Sequence, residues 1–181
     1  DSSKIAEAFR YIRTNVNFLL DEKQNGKTIF VTSTESDEGK TFVSINLATS
    51  LAISGKKTLL IGLDLRASKI PKLLDIEDIL GVSNFVKNKD LSLDAITEKF
   101  YDVDNLDIIN SGDSPPNPVE LLMDPRLNEI FKEVKTKYEY IIVDTAPVGL
   151  VTDTIQVGKF ADLTIYVVKA NHLDKGMLRI P

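Results

Sequence analysis

The chain has no cysteine, no excess of positive charge and no long apolar run. The absence of cysteine excludes disulfides and Cys-ligated metals, and it fits a reducing compartment. The formal net charge of -5 argues against a nucleic-acid partner, because nucleic-acid binders usually present a basic face. No apolar run approaches the ~20 residues of a membrane-spanning helix, and the first residues lack the pattern of a signal peptide.

The remaining composition is that of a globular protein. Apolar residues make up 43% of the 181 residues and charged residues 27%, which is enough for one domain with its own core. The sequence opens inside a helical pattern and stops just after a strand. We therefore expect residues 1–181 to form a single domain taken from a longer protein.

Buried strands alternate with helices along the chain. Apolar runs predict five strands, at 28–32, 58–63, 106–109, 140–143 and 163–168. Periodic patterns predict helices over 3–20, 40–54, 82–87, 118–137 and 153–160. The stripe of the first helix is formed by Ile5, Phe9, Ile12, Val16 and Leu19. This alternation predicts an α/β fold of the P-loop NTPase type, with a mostly parallel sheet covered by helices on both faces.

The segment between the first strand and the next helix has the composition of a phosphate-binding loop. It ends in Gly39-Lys40-Thr41, although Thr34 stands where the usual first glycine belongs. Backbone N–H groups at a helix start attract phosphate, a lysine there meets the β and γ oxygens, and the threonine hydroxyl ligates magnesium. The alternative is an ordinary helix start with a solvated lysine. The strand–loop–helix context favours a site for ATP or ADP, built by Glu35, Ser36, Asp37, Glu38, Gly39, Lys40, Thr41 and Phe42.

Two later strands end in carboxylates. Asp64 follows the second strand and Asp144 follows the fourth, and in a parallel sheet both reach the edge that carries the phosphate loop. A Mg²⁺ ion that bridges phosphates takes few protein ligands, and Thr41, Asp64 and Asp144 would supply them. The alternative for each aspartate is a helix cap or a turn. Arg66 either neutralises phosphate charge or pairs with a surface acid.

Together these motifs resemble those of the bacterial tyrosine kinases, the capsular and exopolysaccharide kinase family. The resemblance covers nearly the whole chain. It is carried by Glu7, Arg10 and Arg13 in an E-x-x-R-x-x-R pattern, by Thr32–Thr41 as Walker A, by Leu59–Arg66 as Walker A′, by Asp144–Pro147 as Walker B, and by Gly112–Leu122 with its Pro-Pro-Asn-Pro run.

The resemblance implies ATP-dependent phosphorylation of tyrosine in proteins, including the kinase itself, coupled to polysaccharide export. It implies catalytic roles for Lys40, Asp64 and Arg66, and a ring of subunits joined through Glu7, Arg10 and Arg13. It also implies a transmembrane activator or chain-length regulator as partner, and a cytoplasmic domain of an inner-membrane-associated protein. From the residues alone, Glu7 and Arg10 as a local i, i+3 pair remains the alternative.

The sequence departs from the family at several places, including Ser36-Asp37 where the loop often has Pro-Gly. Gly62 stands where Walker A′ usually has its first aspartate, so we expect weakened catalysis with Asp64 as the remaining candidate base. The clustered acceptor tyrosines of the family's tail are absent from this chain. Two other functions stay open: an ATP-binding switch that controls ring assembly, and a partitioning-type ATPase. The second is disfavoured because Glu35 occupies the position of that group's additional lysine.

Overall fold

The computed structural model describes residues 2–20, 26–77, 80–149 and 157–172. The strands are β1 (Lys27–Ser33), β2 (Thr58–Gly62), β3 (Thr97–Lys99), β4 (Leu106–Ile109), β5 (Tyr140–Asp144) and β6 (Leu163–Val167). The helices are α1 (Ser2–Leu19), α2 (Lys40–Ile53), α3 (Ile70–Leu74), α4 (Val82–Lys87), α5 (Pro118–Met123) and α6 (Pro125–Lys137). Two 3-10 turns lie at Asp94–Ile96 and Gly158–Phe160.

The strands form one six-stranded sheet in the order β3-β4-β2-β5-β1-β6. All neighbouring strands run parallel except β3, which pairs antiparallel with β4 at the edge. The expected mostly parallel sheet is therefore confirmed. No pattern in the sequence predicts β3, because its three residues, Thr97–Lys99, are polar and lie at an edge where apolar burial leaves no signal.

Helices cover both faces of the central strands, which explains why these strands are apolar at almost every position. Phe30 of β1 and Ile141 of β5 belong to the cluster that includes Phe131 of α6. Ile29 and Ile142, each one position away along its strand, belong to the cluster that includes Leu47 of α2. Because side chains alternate along a strand, the central strands are packed on both faces. This packing fixes the carboxyl ends of β1, β2 and β5 next to one another at one edge of the sheet.

Helix α1 packs on α2 through a stripe that differs slightly from the predicted one. Phe9 and Val16 are buried, but Leu19 is 67% exposed and the following Leu20 is buried instead. At 100° per residue, Leu20 lies about 20° from Phe9 around the helix axis and Leu19 about 80° away. Ile5 also remains 45% exposed, so the amino-terminal end of the stripe faces outward.

The helix predicted over 118–137 is in fact two helices, α5 and α6. Pro125 has no N–H to donate and disfavours helical geometry in the residue before it. Asp124 is accordingly extended, and its carboxylate accepts a hydrogen bond from the Arg126 N–H at 2.8 Å, which caps α6. The helix predicted over 153–160 lies mostly outside the described residues, and its described end is the 3-10 turn Gly158–Phe160.

Candidate nucleotide-binding site

The predicted phosphate loop joins β1 to α2 at the carboxyl edge of the sheet. Gly39, the last residue before α2, has a φ of 100°, a left-handed conformation that glycine adopts without steric cost. Lys40 and Thr41 then begin the helix, and both side chains are buried. Because β1 lies between β5 and β6, the loop stands beside the end of β5, where Asp144 is located.

Asp144 accepts hydrogen bonds from two hydroxyl groups of α2. The Thr41 Oγ1 donates to Asp144 Oδ2 at 2.8 Å, and the Ser44 Oγ donates to Oδ1 at 3.2 Å. Asp144 is only 1% exposed, and this burial raises its pKa to about 6, although the hydrogen bond from Thr41 opposes the shift. A hydroxyl and a carboxylate that meet in this way are suited to share a hard cation.

Asp64 has different neighbours. Its Oδ2 lies 3.4 Å from the Lys40 Nζ, and both side chains are buried. Its Oδ1 accepts hydrogen bonds from the backbone N–H groups of Arg66 at 3.3 Å and Ala67 at 3.1 Å. The structure thus brings Lys40, Thr41, Asp64 and Asp144 together as predicted, but Asp64 is the partner of the lysine, whereas Asp144 is the partner of the hydroxyls.

Glu38 stabilises the loop by accepting two backbone hydrogen bonds. Its side chain is buried, with Oε2 accepting from the Glu35 N–H at 2.7 Å and Oε1 from the Lys169 N–H at 3.3 Å. Thr34, at the position of the missing glycine, is fully buried, and its hydroxyl lies 2.7 Å from that of Tyr166. Two residues outside the loop, Lys169 and Tyr166, therefore hold its shape.

The outer residues of the loop face solvent. Ser36 and Asp37 are exposed, and the Asp37 carboxylate pairs with Lys69, which holds the pKa of Asp37 below its usual range. Asp37 also has a φ of 64°. Glu35 lies 3.8 Å from His172, a contact that is ionic only when the imidazole is protonated.

Two predicted site residues lie at the margin of this arrangement. Phe42 is half exposed and packs edge to face on Phe9 of α1, with ring centroids 5.9 Å apart. Arg66 is exposed and lines a polar cavity of about 290 Å³ with Ser68 and Ser111. Neither side chain belongs to the hydrogen-bonded group of Lys40, Thr41, Asp64 and Asp144.

Gly62 is the register partner of Asp144 across β2 and β5. A side chain at this position would point to the same face of the sheet as Asp144. A Cβ there would lie 3.2 Å from the Ser111 N and 3.3 Å from the Ile70 Cδ1, so the Ser111 backbone and the Ile70 side chain would each have to yield by a few tenths of an ångström. An aspartate at this position would therefore stand beside Asp144, on the side of the sheet that α2 covers.

The three predicted interface residues of α1 divide into two groups. Arg10 and Glu7 form an exposed ion pair at 2.7 Å. Arg13 instead donates a hydrogen bond to the Ser50 carbonyl oxygen of α2 at 2.7 Å. The local pair that the sequence left open is thus present, and Arg13 contributes to the packing of α1 within its own chain.

Ser44 and Lys69, like Tyr166 and Lys169, contact residues of the site but were not predicted from the sequence. Ser44 follows Thr41 by three positions, so the helical period places both hydroxyls on one face, and this signal was available. Lys69 reaches Asp37 across 32 residues of sequence, and no local pattern predicts that contact.

Comparisons with known proteins show which family the chain resembles. A family model described as an AAA domain matches residues 26–174. The tyrosine-protein kinase CpsD of Streptococcus agalactiae serotype III is 38% identical over 176 residues, which are 96% of this chain and 73% of that protein. The tyrosine-protein kinase YwqD of Bacillus subtilis is 34% identical over 94% of this chain and 70% of its own length. In contrast, the chain spans only 22% of the Salmonella typhi tyrosine-protein kinase Wzc.

Solved structures give the same result. The kinase domain of the Escherichia coli tyrosine kinase ETK matches with a TM-score of 0.89 at 32% identity, over 96% of this chain and 67% of that one. A more distant neighbour is the septum site-determining protein MinD of Pyrococcus horikoshii, solved with Mg-ADP. It has a TM-score of 0.63 at 25% identity, over 78% of this chain and 57% of that one.

The fold and the loop define a P-loop nucleotide-binding protein. Within that class, the relatives at 34% and 38% identity match over most of their length. The chain belongs to the bacterial tyrosine kinases of capsule and exopolysaccharide synthesis, as the sequence motifs indicated. Among the described residues, no helix is both long enough and apolar enough to cross a bilayer.

Proposed function

We propose that this chain is an ATP-dependent protein-tyrosine kinase domain that acts in capsule or exopolysaccharide synthesis and export. One observation carries the proposal: a buried lysine, a buried hydroxyl and two buried carboxylates converge beside the phosphate loop. Phosphoryl transfer depends chiefly on positioning and on charge stabilisation. Lys40, Thr41, Asp64 and Asp144 supply both signs of charge at fixed positions.

The residues fit a magnesium–nucleotide complex. The Thr41 hydroxyl and the Asp144 carboxylate already lie 2.8 Å apart. Both oxygens could therefore bind one cation after little movement. Mg²⁺, when bound, neutralises charge on the phosphate oxygens. Lys40 would meet the β and γ oxygens, and the N–H groups at the start of α2 would face them. Asp64 orients Lys40 and is the candidate base for the tyrosine hydroxyl.

Beyond the catalytic site, we propose that the kinase forms a ring through α1, with Glu7 and Arg10 on its exposed face. We also propose that a transmembrane activator or chain-length regulator holds it at the inner membrane as a cytoplasmic domain. Tyrosines of protein substrates, including those of the kinase itself, would accept the phosphoryl group. The excess of acidic residues argues against a nucleic-acid partner.

The test is a transfer assay. Purified protein with ATP and Mg²⁺ should phosphorylate tyrosines of a partner that carries the tyrosine-rich tail, and Lys40→Met should abolish the product. Lys72→Met, at an exposed position of α3, is the matched control and should leave the rate unchanged. If mass spectrometry finds no phosphotyrosine while calorimetry shows bound nucleotide, this chain is not a kinase.

That outcome would favour the second candidate, an ATP-binding switch that controls ring assembly without transfer. Gly62 is the observation behind it, because the family's first Walker A′ aspartate is missing. Gly62→Asp should raise phosphotyrosine formation at least about tenfold if this carboxylate aids transfer. Gly62→Asn, which adds nearly the same volume without charge, should not. Equal rates for both variants would mean that the carboxylate is unimportant.

A partitioning-type ATPase is the third candidate, since MinD shares the fold. Glu35 places a negative charge where that group has its additional lysine. ATP-dependent dimerisation together with DNA or lipid recruitment, measured by light scattering and co-sedimentation, would support this candidate over a kinase.

A further inference from the structure

We infer that Lys69 is a second phosphate-binding cation of the nucleotide site, and that Asp37 is the anion that the terminal phosphate displaces from it. This inference rests on the proposed function, because it assigns a further role at the same nucleotide site. It adds a residue that lies outside every motif of the sequence and that comes from a separate segment of the chain.

The position of Lys69 supports the inference. Lys69 directly precedes α3 and pairs with Asp37, which lies near the tip of the phosphate loop. A cavity of about 140 Å³ opens between the two segments. Its lining includes Asp37, Gly39, Lys40, Thr41, Lys69 and Leu73. Lys69 therefore lines the same space as the lysine and threonine of the phosphate loop.

The charges around this cavity favour an exchange of partners. Lys40 is already paired with Asp64 inside the site, so Lys69 brings the second positive charge to the cavity. Asp37 is exposed and faces Lys69 with a single negative charge. A terminal phosphate carries nearly two negative charges at neutral pH and offers several acceptor oxygens. Lys69 therefore gains a more strongly charged partner when such a phosphate enters.

Asp37 opposes phosphate entry as well as holding the lysine. Lys69, and to a smaller extent Lys40, keep the pKa of Asp37 below its usual range, so Asp37 stays negative at neutral pH. A carboxylate at the mouth of a phosphate cavity repels the incoming phosphate. The two members of one ion pair should therefore have opposite effects on nucleotide affinity.

The experiment is calorimetry of ATP and ADP in Mg²⁺ at low salt, with the intact chain and four variants. Lys69→Met should weaken ATP about tenfold and ADP clearly less, because ADP lacks the terminal phosphate. Asp37→Asn should tighten ATP several-fold. The matched controls Lys72→Met and Asp75→Asn, both at exposed positions of α3 or its end, should bind like wild type. Thermal unfolding without nucleotide verifies that each variant folds.

Other results would overturn the inference, and they differ in what they imply. Weaker ATP binding in both Lys69→Met and Asp37→Asn would mean that the ion pair merely braces the loop, and it would overturn the inference. An equal loss of ATP and ADP affinity in Lys69→Met would also overturn it, because Lys69 would then not meet the terminal phosphate. Unchanged affinities would do the same and leave the proposed function intact. If the wild-type protein binds neither ATP nor ADP, both the inference and the proposed function are wrong.

Discussion

Asp64 and Asp144 occupy equivalent places in the sequence and different places in the chemistry of the site. Asp144 is the last residue of the apolar strand β5, and Asp64 lies two residues beyond the end of the apolar strand β2. Asp144 is bound by two hydroxyls of α2, whereas Asp64 is bound by Lys40 and by backbone N–H groups of its own loop. The comparison teaches that a strand-end carboxylate takes its role from the elements that pack against it.

The difference extends to charge. Asp144 has no cation as a direct partner among the described residues, and burial raises its pKa to about 6. Asp64 has its counter-charge in place at 3.4 Å. A carboxylate that is buried without a cation is ready to receive one, whereas a carboxylate already paired with lysine positions that lysine. We therefore propose that Asp144 chiefly binds the metal and that Asp64 chiefly positions the lysine.

The largest expected effect is on the transfer rate of an Asp64 variant. Asp64→Asn should lower the rate of phosphotyrosine formation by about 10²-fold or more, because it removes both the candidate base and the ionic partner of Lys40. ATP affinity should change by much less. Single-turnover transfer and calorimetry on the same preparation measure the two quantities, with the exposed Asp104→Asn as control. A loss of affinity equal to the loss of rate would contradict the assignment.

Asp144→Asn should show the reverse pattern. We expect ATP affinity in Mg²⁺ to fall about 10- to 100-fold, since a charged contact to the cation is lost. In EDTA, wild type and variant should bind with similar affinity. Titration calorimetry with and without the metal measures this difference. If the variant loses as much affinity in EDTA as in Mg²⁺, Asp144 supports the loop and does not bind the cation.

The stability of the nucleotide-free protein should also depend on Asp144. Its pKa is raised to about 6 in the folded state from an ordinary 3.8, so between these pH values the folded protein binds a proton that the unfolded chain releases. The free energy of unfolding should therefore fall as pH rises from about 4 to about 6. At pH 7, Asp144→Asn should be more stable by on the order of 1–3 kcal/mol. Urea unfolding across this range measures the gain, which should vanish near pH 4.

The smallest expected effect concerns the loop that both aspartates face. Glu38→Gln keeps the size of the side chain but replaces one of its two acceptor oxygens with a donor, so one of the N–H groups of Glu35 and Lys169 loses its partner. We expect a loss of about 1–2 kcal/mol in stability and a several-fold loss of ATP affinity. Glu77→Gln, at an exposed position outside the loop, is the control. Wild-type behaviour of Glu38→Gln would show that the two hydrogen bonds contribute little.

Much of the architecture could be predicted because it depends on local patterns. The apolar runs at β1, β2, β4 and β5 are largely buried, and such strands are visible without knowledge of their neighbours, whereas β6 at the opposite edge is only half buried. Two predictions failed for different physical reasons. Edge strand β3 has too little apolar burial to produce a signal, and the helical pattern over 118–137 continues across Pro125, where the structure separates α5 from α6.

The sequence by itself determined the class of fold, the phosphate loop and the family, because these depend on residues that are close along the chain. Only the tertiary structure decided how the charges are paired. Lys40 meets Asp64, Thr41 meets Asp144, and Asp37 meets Lys69. Each contact joins segments brought together by strand order and helix packing. Because Coulomb and hydrogen-bond energies depend on distance in space, separation along the sequence could not predict them.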